Sequence, residues 1–572
     1  MRSGLLLLGI ACAFMLGCGD DADAGGEPAP DAGDSDAGDG DAGDTDAGDG
    51  GPPAELPALS DDPTEVTLHD GELRGQRDGD SVRFLKIPYA MPPVGERRWQ
   101  GPAANDPWDG VREETEFAAP CPQAPSQQSP MSLEEDCLYL NVWRPDVVEP
   151  GAPVMVWIHG GGFTTGSAAD FVPTSGDFLW YDGRPFAERG IVVVTLNYRL
   201  GVFGFFAHPD LAGEGSPVGN QGLLDQQHAL RWVHDNIERF GGDPSNVTIF
   251  GESAGAGSVC MHLASPGSRG LFHRAVSQSG GCTQRSGVSA DSDREVLNEQ
   301  IAMYAADRGC EGEDVLACLR ELPASEFISE DMVDRTMGPG ALRANFRFGP
   351  VIDGEGGFLP EAAKELFDRG EIADVPYILG TNTEESQLYF LAAEVPADEE
   401  AYVAELTETY GDFADRVLEM YPSERFDGNY RKAMARIATD SGLVCGTMDT
   451  ARRAAAAGLP VYMYNFNIDW SIAREALGPS HAAEISHVFG TPYNETEENI
   501  AVAEVMNAYW AAFAQTGDPN YDGAPAVWPR YMPDEDDVDQ RLQFDPEYEV
   551  LESFRREECM LWREYAEAQA ME

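Results

Sequence analysis

The stretch "NVTIFGESAGAGSV" (246–259) places the strongest constraint on how this chain can fold. Its opening residues are rich in β-branched and aromatic side chains, which is typical of a buried strand. The residues that follow Ser253 are small and apolar, and they are compatible with a helix. Gly251 and Gly255 therefore flank a serine at a sharp strand-to-helix turn, which is the context that a nucleophile elbow requires. This context predicts Ser253 to be a reactive serine, not an incidental residue of a glycine-rich turn.

A second glycine-rich segment follows another predicted strand. "PVMVWIHGGGF" (153–163) joins a hydrophobic run to His159 and three successive glycines. Because glycine has no Cβ, its N–H group can approach a ligand closely. We expect Gly161, Gly162 and Ala254 to direct three backbone N–H groups at one oxygen atom, the arrangement that stabilises an oxyanion. The alternative interpretation is a flexible loop, and the expected role of His159 is to shape the segment.

A reactive serine also needs a base, and the sequence limits the choice among its nine histidines. In folds with a nucleophile elbow, the order along the chain is Ser, then acid, then His. Only His481 and His487 follow every plausible acid-bearing strand. We favour His481, which lies in a loop after the predicted strand "VYMYNF" (461–466). His487 precedes "VFG" and is expected to pack against the core.

The acid is expected between the serine and the histidine, at the end of a strand. "DVPYILGTNTEESQLYF" (374–390) contains such a strand, and Glu384 and Glu385 follow it in a loop. Either carboxylate could accept the N–H of the histidine, fix its tautomer and stabilise the imidazolium. The pattern alone does not choose between the two, and it leaves open that neither has this role.

The N-terminus predicts an exported chain in three parts. Residues 1–18 combine one Arg, a short apolar run and a final Gly17-Cys18, which looks like a bacterial lipoprotein processing site. We expect a signal peptide whose Cys18 becomes lipidated in the cell envelope, with ordinary secretion as the alternative. Residues 19–62 repeat Asp, Ala and Gly, so we expect a disordered acidic linker and not a calcium-binding repeat. Residues 63–572 are then the α/β domain.

Several further segments together resemble the type-B carboxylesterase family, which includes cholinesterases, fungal lipases and bacterial p-nitrobenzyl esterases. The resemblance runs from about residue 64 to the end of the chain, and the segments that carry it are "FLKIPYAMPPVGERRW", "EEDCLYLNVWRP", "VMVWIHGGGF", "LNYRLGVFGF", "GNQGLLDQQHALRWVHDNIERFGGDPSNVTIFGESAG", "GPVIDG", "HAAEISHVFG" and "WAAFAQTGDPN". It implies an α/β-hydrolase fold, with a central, mostly parallel sheet flanked by helices. It also implies a gorge that leads to the serine. The insert-like segments 325–348 and 391–440 are candidates for a gorge wall or a lid.

The resemblance assigns a role to each candidate site residue. The family's nucleophile falls on Ser253, its acid on Glu385 and its histidine on His481, while its oxyanion donors fall on Gly161, Gly162 and Ala254. "LGTNTEES" matches the family pattern around the acid, except that Ser386 replaces the usual Gly. Glu484 matches a buried neighbour of the histidine.

The resemblance also implies structural pairs. Arg98 and Glu135 match an ion pair of the family, and the implied disulfides are Cys121–Cys137, Cys310–Cys318 and Cys445–Cys559. Cys260 and Cys282 have no counterpart in this scheme. They could pair with each other or remain buried thiols.

These matches imply a serine carboxylic-ester hydrolase that works through an acyl-enzyme, with a small-molecule ester as substrate and with no cofactor or metal. The first disulfide loop, "CPQAPSQQSPMSLEEDC", contains no aromatic residue that could hold a quaternary ammonium group, so we expect uncharged esters as substrates. A net charge of −62 argues against nucleic acids and anionic membrane surfaces as partners, and leaves the lipid anchor as the expected membrane contact. The alternatives are a lipase for longer acylglycerols and a non-catalytic surface binding protein of the same fold.

Overall fold

The computed structural model describes residues 60–569, apart from residues 127–128, 148–149, 171–178, 284–293, 313, 329–347, 392, 470–476 and 533–538. The predicted signal segment with Cys18, and the acidic linker up to residue 59, lie outside this part of the chain. Within it, none of the helices combines the length and the apolar composition needed to cross a bilayer.

Within the described residues, fourteen strands form a three-stranded sheet and a larger sheet of eleven strands. They are β1 (Glu65–Thr67), β2 (Glu72–Arg74), β3 (Gln76–Asp78), β4 (Ser81–Pro88), β5 (Val111–Arg112), β6 (Tyr139–Pro145), β7 (Ala152–Ile158), β8 (Val192–Leu196), β9 (Gly242–Glu252), β10 (Arg274–Gln278), β11 (Tyr377–Asn382), β12 (Val461–Phe466), β13 (Gln540–Phe544) and β14 (Val550–Glu552). The small sheet has the order β1-β2-β5. The predicted strand "VYMYNF" coincides with β12.

The larger sheet is parallel in its centre and antiparallel at both ends. Its order is β14-β13-β12-β11-β10-β9-β7-β8-β6-β4-β3. Every pair from β8 to β13 is parallel, whereas the outer pairs are antiparallel. The prediction of a central, mostly parallel sheet is therefore confirmed.

Both faces of the sheet are covered, as the sequence of its central strands requires. In β7, Val154, Val156 and Ile158 pack into one buried cluster, while Met155 and Trp157 pack into another on the opposite face. Strands that are buried on both faces are apolar throughout, because successive side chains alternate between the faces. This explains why the run before the three glycines contains no polar side chain.

Helices cover both faces of the sheet. The α-helices are Arg184–Ala187, Gly201–Gly204, Asp210–Gly213, Gln221–Asn236, Ala254–Ala264, Arg294–Ala306, Val315–Glu321, Ala363–Asp368, Glu399–Tyr410, Ala414–Met420, Tyr430–Ala438, Cys445–Ala456, Ile485–Val488, Glu497–Thr516 and Arg556–Gln569. Short 3₁₀-helices occur at Gly95–Arg97, Ile237–Phe240, Pro266–Ser268, Ala324–Glu326, Glu385–Phe390, Gly411–Phe413 and Ser423–Phe426, and a π-helix spans Thr439–Val444.

Disulfides fasten the connecting segments to this framework. The described part of the chain contains four such bonds: Cys121–Cys137, Cys260–Cys282, Cys310–Cys318 and Cys445–Cys559. Three of them join the pairs that the family resemblance implied, and the other joins the two cysteines that the sequence left open. The implied ion pair is also present, since Nε of Arg98 donates to Oε2 of Glu135 at 2.7 Å.

The insert-like segment 391–440 folds into helices beside the C-terminal helix. The buried side chains of Tyr402, Tyr421 and Trp562 belong to one apolar cluster that these helices share. The other insert-like segment, 325–348, lies largely outside the described residues, so the expected lid remains a prediction.

The order of the strands creates a crevice at one edge of the sheet. After β7 the chain moves to one side to form β8, and it then returns to form β9 on the other side of β7. Loops leave such a switch point in opposite directions, which opens a crevice at the carboxyl ends of the two strands. The three glycines follow β7 and Ser253 follows β9, so the fold brings both predicted motifs to this crevice.

Candidate active site

Ser253 occupies a strained turn between β9 and the helix Ala254–Ala264, which we call the elbow helix. Its backbone has φ 55° and ψ −117°, a conformation that residues other than glycine rarely adopt. The turn is held from both sides, because Ser253 N–H donates to Gln278 O at 2.9 Å and Ser253 O accepts from Gly257 N–H at 2.9 Å. The framework thus fixes the serine at the end of its strand.

The two glycines of the elbow are required by the close approach of β7. A Cβ at Gly251 would lie 2.6 Å from the carbonyl oxygen of Ile158, and a Cβ at Gly255 would lie 2.0 Å from the same atom. Both distances are far below van der Waals contact. The Gly-x-Ser-x-Gly pattern therefore reflects the packing of two neighbouring strands as well as the sharpness of the turn.

The glycine-rich loop lies directly beside the serine. A Cβ at Gly160 would be 3.2 Å from the Cβ of Ser253, whereas Gly161 and Gly162 have φ values of 100° and 62°. Among the described residues, the N–H groups of Gly161, Gly162 and Ala254 make no hydrogen bond. Three donors close to the serine are thus free to bind an oxygen atom of a substrate.

The buried ring of His159 packs against the glycine-rich loop. Its ring is fully buried and stacks on Tyr198 with the ring centroids 4.3 Å apart. A Cβ at Gly166 would lie 2.3 Å from Nδ1 of His159, so the ring also dictates the glycine at the far end of the loop. Burial lowers the pKa of His159 to about 4, which keeps the ring neutral. These contacts agree with the expected shaping role.

His481 and Glu385 form a direct pair. Nδ1 of His481 donates to Oε2 of Glu385 at 2.8 Å, and both side chains are buried. A backbone hydrogen bond joins the same two residues, because His481 N–H donates to Glu385 O at 3.0 Å. Glu385 also accepts the N–H of Asn382 at 2.7 Å. This arrangement fixes the tautomer of the imidazole and leaves Nε2 directed away from Glu385.

The residues that the sequence offered as alternatives lie elsewhere. Glu384 forms an ion pair with Arg436 of the helix Tyr430–Ala438. Nε2 of His487 donates to Oδ1 of Asn499 at 2.9 Å, and the ring of His487 packs against Phe466. Among the described residues, neither side chain forms a hydrogen bond or an ion pair with His481 or Ser253. The structure therefore brings Glu385 and His481, not their alternatives, to the serine elbow.

Glu252 is a site residue that the sequence interpretation missed. Its Oε1 lies 3.1 Å from Nε2 of His481, and its side chain is buried. No hydrogen bond involves Ser253 Oγ among the described residues. In this arrangement the imidazole therefore sits between two carboxylates, Glu385 on Nδ1 and Glu252 on Nε2. A charged residue directly before the serine, in a turn enclosed by buried strands, was the available signal.

Burial and charge act in opposite directions on this cluster. Burial disfavours the imidazolium, but the negative charge of Glu252 and the bond to Glu385 outweigh it and raise the pKa of His481 to about 9. Burial raises the pKa of Glu252 to about 8, against the attraction of His481. Burial likewise raises the pKa of Glu484 to about 7. The cluster thus favours a protonated imidazole near neutral pH.

Glu484 links the cluster to the sheet. It accepts from Nδ2 of Asn382 at 2.6 Å and from Nε2 of Gln278 at 3.2 Å. Asn382 ends β11 and Gln278 ends β10, so the polar network ties three elements together behind the histidine.

Among the described residues, no group of three or more His, Cys, Asp or Glu side chains is arranged to hold a metal ion.

The comparison with known families agrees with this geometry. The family model described as the carboxylesterase family matches residues 62–562. Because this match covers most of the chain, the protein belongs to the carboxylesterase family. Its fold is accordingly the α/β-hydrolase fold, and the protein is a carboxylic ester hydrolase that acts on small-molecule esters. The predicted family, fold and type of enzyme are thereby confirmed.

Proposed function

We propose that the enzyme hydrolyses uncharged carboxylic esters through an acyl-enzyme on Ser253, with His481 as the base and Glu385 as the acid. The observation that carries this proposal is the hydrogen bond of 2.8 Å between Nδ1 of His481 and Oε2 of Glu385 beside the strained serine turn. A carboxylate, an imidazole and a serine in this chain order are the parts of a nucleophilic triad.

The reaction proceeds in two similar halves. Ser253 Oγ attacks the ester carbonyl as Nε2 of His481 takes its proton, and the oxyanion is held by the N–H groups of Gly161, Gly162 and Ala254. The imidazolium then protonates the leaving alcohol, and an acyl-enzyme remains. Water repeats the sequence, which releases the acid and restores the serine.

The contact with Glu252 adds a step before catalysis. Nε2 of His481 lies near Glu252 in the arrangement described above, whereas base catalysis requires it to face Ser253 Oγ. Serine and glutamate are adjacent in the chain, and we propose that a rotation of the imidazole exchanges one partner for the other. Ester binding, which fills the space next to the three free N–H groups, would favour the productive position.

A burst experiment tests the proposed mechanism. With p-nitrophenyl acetate in rapid-mixing kinetics, we expect a burst of p-nitrophenol, followed by slower steady turnover, if deacylation limits the rate. Intact-mass spectrometry of enzyme quenched during turnover should show the added acetyl group. Ester turnover in which neither a burst nor an acyl adduct is found on rapid quenching would contradict the acyl-enzyme.

The pH dependence of kcat/KM should reveal the influence of Glu252. Only the neutral imidazole accepts a proton, so activity should rise as the pH approaches the His481 pKa of about 9. Glu252→Gln removes the carboxylate that faces Nε2 and thereby lowers the pKa of His481. We therefore expect the acidic limb of the pH profile of kcat/KM to move to lower pH by about one unit or more. The exposed Glu238→Gln variant is the control. An unchanged limb in Glu252→Gln would show that this carboxylate does not set the histidine pKa.

Substrate charge provides a separate prediction. The loop between Cys121 and Cys137 contains no aromatic residue for a cation–π contact with a quaternary ammonium group. We expect butyrylcholine and its uncharged isostere 3,3-dimethylbutyl butyrate to be hydrolysed with similar kcat/KM values. A preference of tenfold or more for the choline ester would contradict the assignment of uncharged substrates.

We also propose that the enzyme is anchored in the cell envelope by a lipid on Cys18. The support is the N-terminal sequence, in which a short apolar run ends at Gly17-Cys18 and an acidic spacer follows. Wild-type protein produced in cells fed labelled palmitate should carry the label, and Cys18→Ser should not. A wild-type protein without label would indicate ordinary secretion.

A further inference from the structure

The first disulfide loop contacts the glycine-rich loop (159–166) through the side chain of Gln123, which is fully buried. Cys121, two residues earlier, is fixed by its disulfide to Cys137. The backbone of Gln123 is held as well, because Gln123 N–H donates to Ser132 O at 2.9 Å and Ser132 N–H donates to Gln123 O at 3.1 Å. The disulfide loop therefore presents the carboxamide of Gln123 from a fixed position.

The carboxamide of Gln123 binds both backbone groups of Gly166. Its Nε2 donates to Gly166 O at 2.8 Å, and its Oε1 accepts from Gly166 N–H at 2.8 Å. Nε2 also donates to Cys121 O at 3.2 Å. These bonds use both donors of the primary amide as well as its oxygen. The side chain thus pairs with Gly166 as a neighbouring backbone segment would, and it holds the peptide units on both sides of that glycine.

Gly166 passes this fixed position on to the expected oxyanion donors. The N–H that Gln123 holds shares a planar peptide unit with Thr165 O, and a Cβ at Gly161 would lie 2.1 Å from Thr165 O. Thr165 N–H donates to Gly161 O at 3.0 Å. Gly161 O in turn shares a trans peptide unit with the N–H of Gly162, so these two groups point in opposite directions. Thr165 therefore orients the N–H of Gly162, which makes no hydrogen bond among the described residues.

A second attachment joins the disulfide loop to the chain that follows Gly166. Oδ1 of Asp170 accepts from Oγ of Ser167 at 2.7 Å, and the same atom accepts from Oγ of Ser129 in the disulfide loop. Oδ2 of Asp170 accepts from the hydroxyl of Tyr181 at 3.2 Å. All four side chains are buried. The disulfide loop is thus bound at two points to the segment that follows the expected oxyanion donors.

We infer that Gln123 is a positioning residue for the oxyanion donors, and that through Gly166 and Thr165 it keeps the N–H of Gly162 directed at the reacting oxygen. The inference rests on the proposed function, because it requires an oxyanion to form at these donors. Such donors lower the barrier when they are already aligned as the charge develops, and a misplacement of about 0.5 Å weakens a site. Loss of the Gln123 contact should therefore slow the chemical step and leave the binding of the ester largely unchanged.

Gln123→Met tests the inference, because methionine has a similar length but forms neither bond to Gly166. The matched control is Gln221→Met. Gln221 is also fully buried, and its Nε2 donates to the backbone oxygens of Phe206 at 3.0 Å and Pro217 at 3.1 Å. It makes no hydrogen bond to the glycine-rich loop among the described residues. Both variants leave buried backbone groups unpaired, so both should unfold at a lower temperature than wild type.

Only Gln123→Met should lower kcat on p-nitrophenyl acetate, by about 30-fold, since complete loss of one oxyanion donor costs about 10²- to 10³-fold. We expect KM to stay within about threefold of the wild-type value. A trifluoromethyl ketone adds the serine hydroxyl and places an oxyanion at the same donors. Its inhibition constant should therefore rise in Gln123→Met by about the factor by which kcat/KM falls. Gln221→Met should change neither quantity.

Gln123→Glu makes the same test if Gln123→Met does not fold. The neutral carboxyl group can donate to Gly166 O and accept from Gly166 N–H, whereas the ionised group repels that oxygen. The ratio of its kcat to that of wild type at the same pH should therefore rise as the pH falls. A kcat in Gln123→Met equal to that of Gln221→Met, a change in KM alone, or a ratio for Gln123→Glu that is constant with pH would overturn the inference. A wild type without ester turnover would instead refute the proposed function.

Discussion

Ser253→Ala should lower kcat on p-nitrophenyl acetate by about 10⁶-fold, the loss found when the nucleophile of a serine hydrolase is removed. The alanine cannot form an acyl-enzyme, so the residual rate would come from the oxyanion donors and substrate binding alone. Steady-state rates at saturating ester, corrected for background hydrolysis, measure the effect. The burst should disappear with the turnover.

Removal of the hydroxyl should not disturb the fold. Among the described residues Ser253 Oγ makes no hydrogen bond, and alanine can be expected to tolerate the turn as serine does. A thermal unfolding curve should therefore change little. Ser245→Ala is the matched control, because Ser245 lies on the same strand, β9, but is exposed. Activity above about one per cent of wild type in Ser253→Ala would contradict the assigned nucleophile.

Glu385→Gln should reduce kcat by about 10⁴-fold, because an amide can stabilise the wrong tautomer of the histidine. In the wild type, Oε2 of Glu385 accepts from Nδ1 of His481 at 2.8 Å. Glutamine retains the shape but removes the negative charge that stabilises the imidazolium. Its N–H₂ group can also face Nδ1, which would place the ring proton on Nε2, where the base must be free.

The neighbouring glutamate provides the matched control. Glu384→Gln changes the same type of side chain one residue earlier, but this carboxylate is paired with Arg436 and not with the histidine. We expect kcat to remain within about threefold of wild type, since an ion pair of this kind contributes modestly to stability. A large loss in Glu384→Gln with an active Glu385→Gln would reverse the assignment of the acid.

Much of the site could be predicted from the sequence because its parts lie at the ends of apolar strands. "NVTIF" falls within β9, and "VYMYNF" coincides with β12. The three glycines directly follow His159 at the end of β7. In a parallel sheet such ends share one edge, so the segments that follow β7, β9 and β12 were expected to lie close together there. The pairing of Cys121, Cys310 and Cys445 followed from the family resemblance and not from spacing.

Other parts depended on contacts that local sequence does not encode. Glu384 and Glu385 are chemically equal neighbours, and the short helix Glu385–Phe390 with its partner Arg436 decides which one faces His481. Glu252 received no role from the sequence, because its burial against the imidazole depends on how β9 packs. The pairing of Cys260 with Cys282 depends on how the loop after β10 lies along the elbow helix.

The most direct measurement of the central claim is the site of covalent modification by a fluorophosphonate. Fluorophosphonates react with a serine that a neighbouring base has activated, so labelling reports the assembled triad. After digestion, mass spectrometry should place the phosphonyl group on Ser253 in wild-type enzyme, with labelling greatly slowed in Glu385→Gln. Modification at another serine, or folded wild-type enzyme that remains unlabelled, would contradict the account.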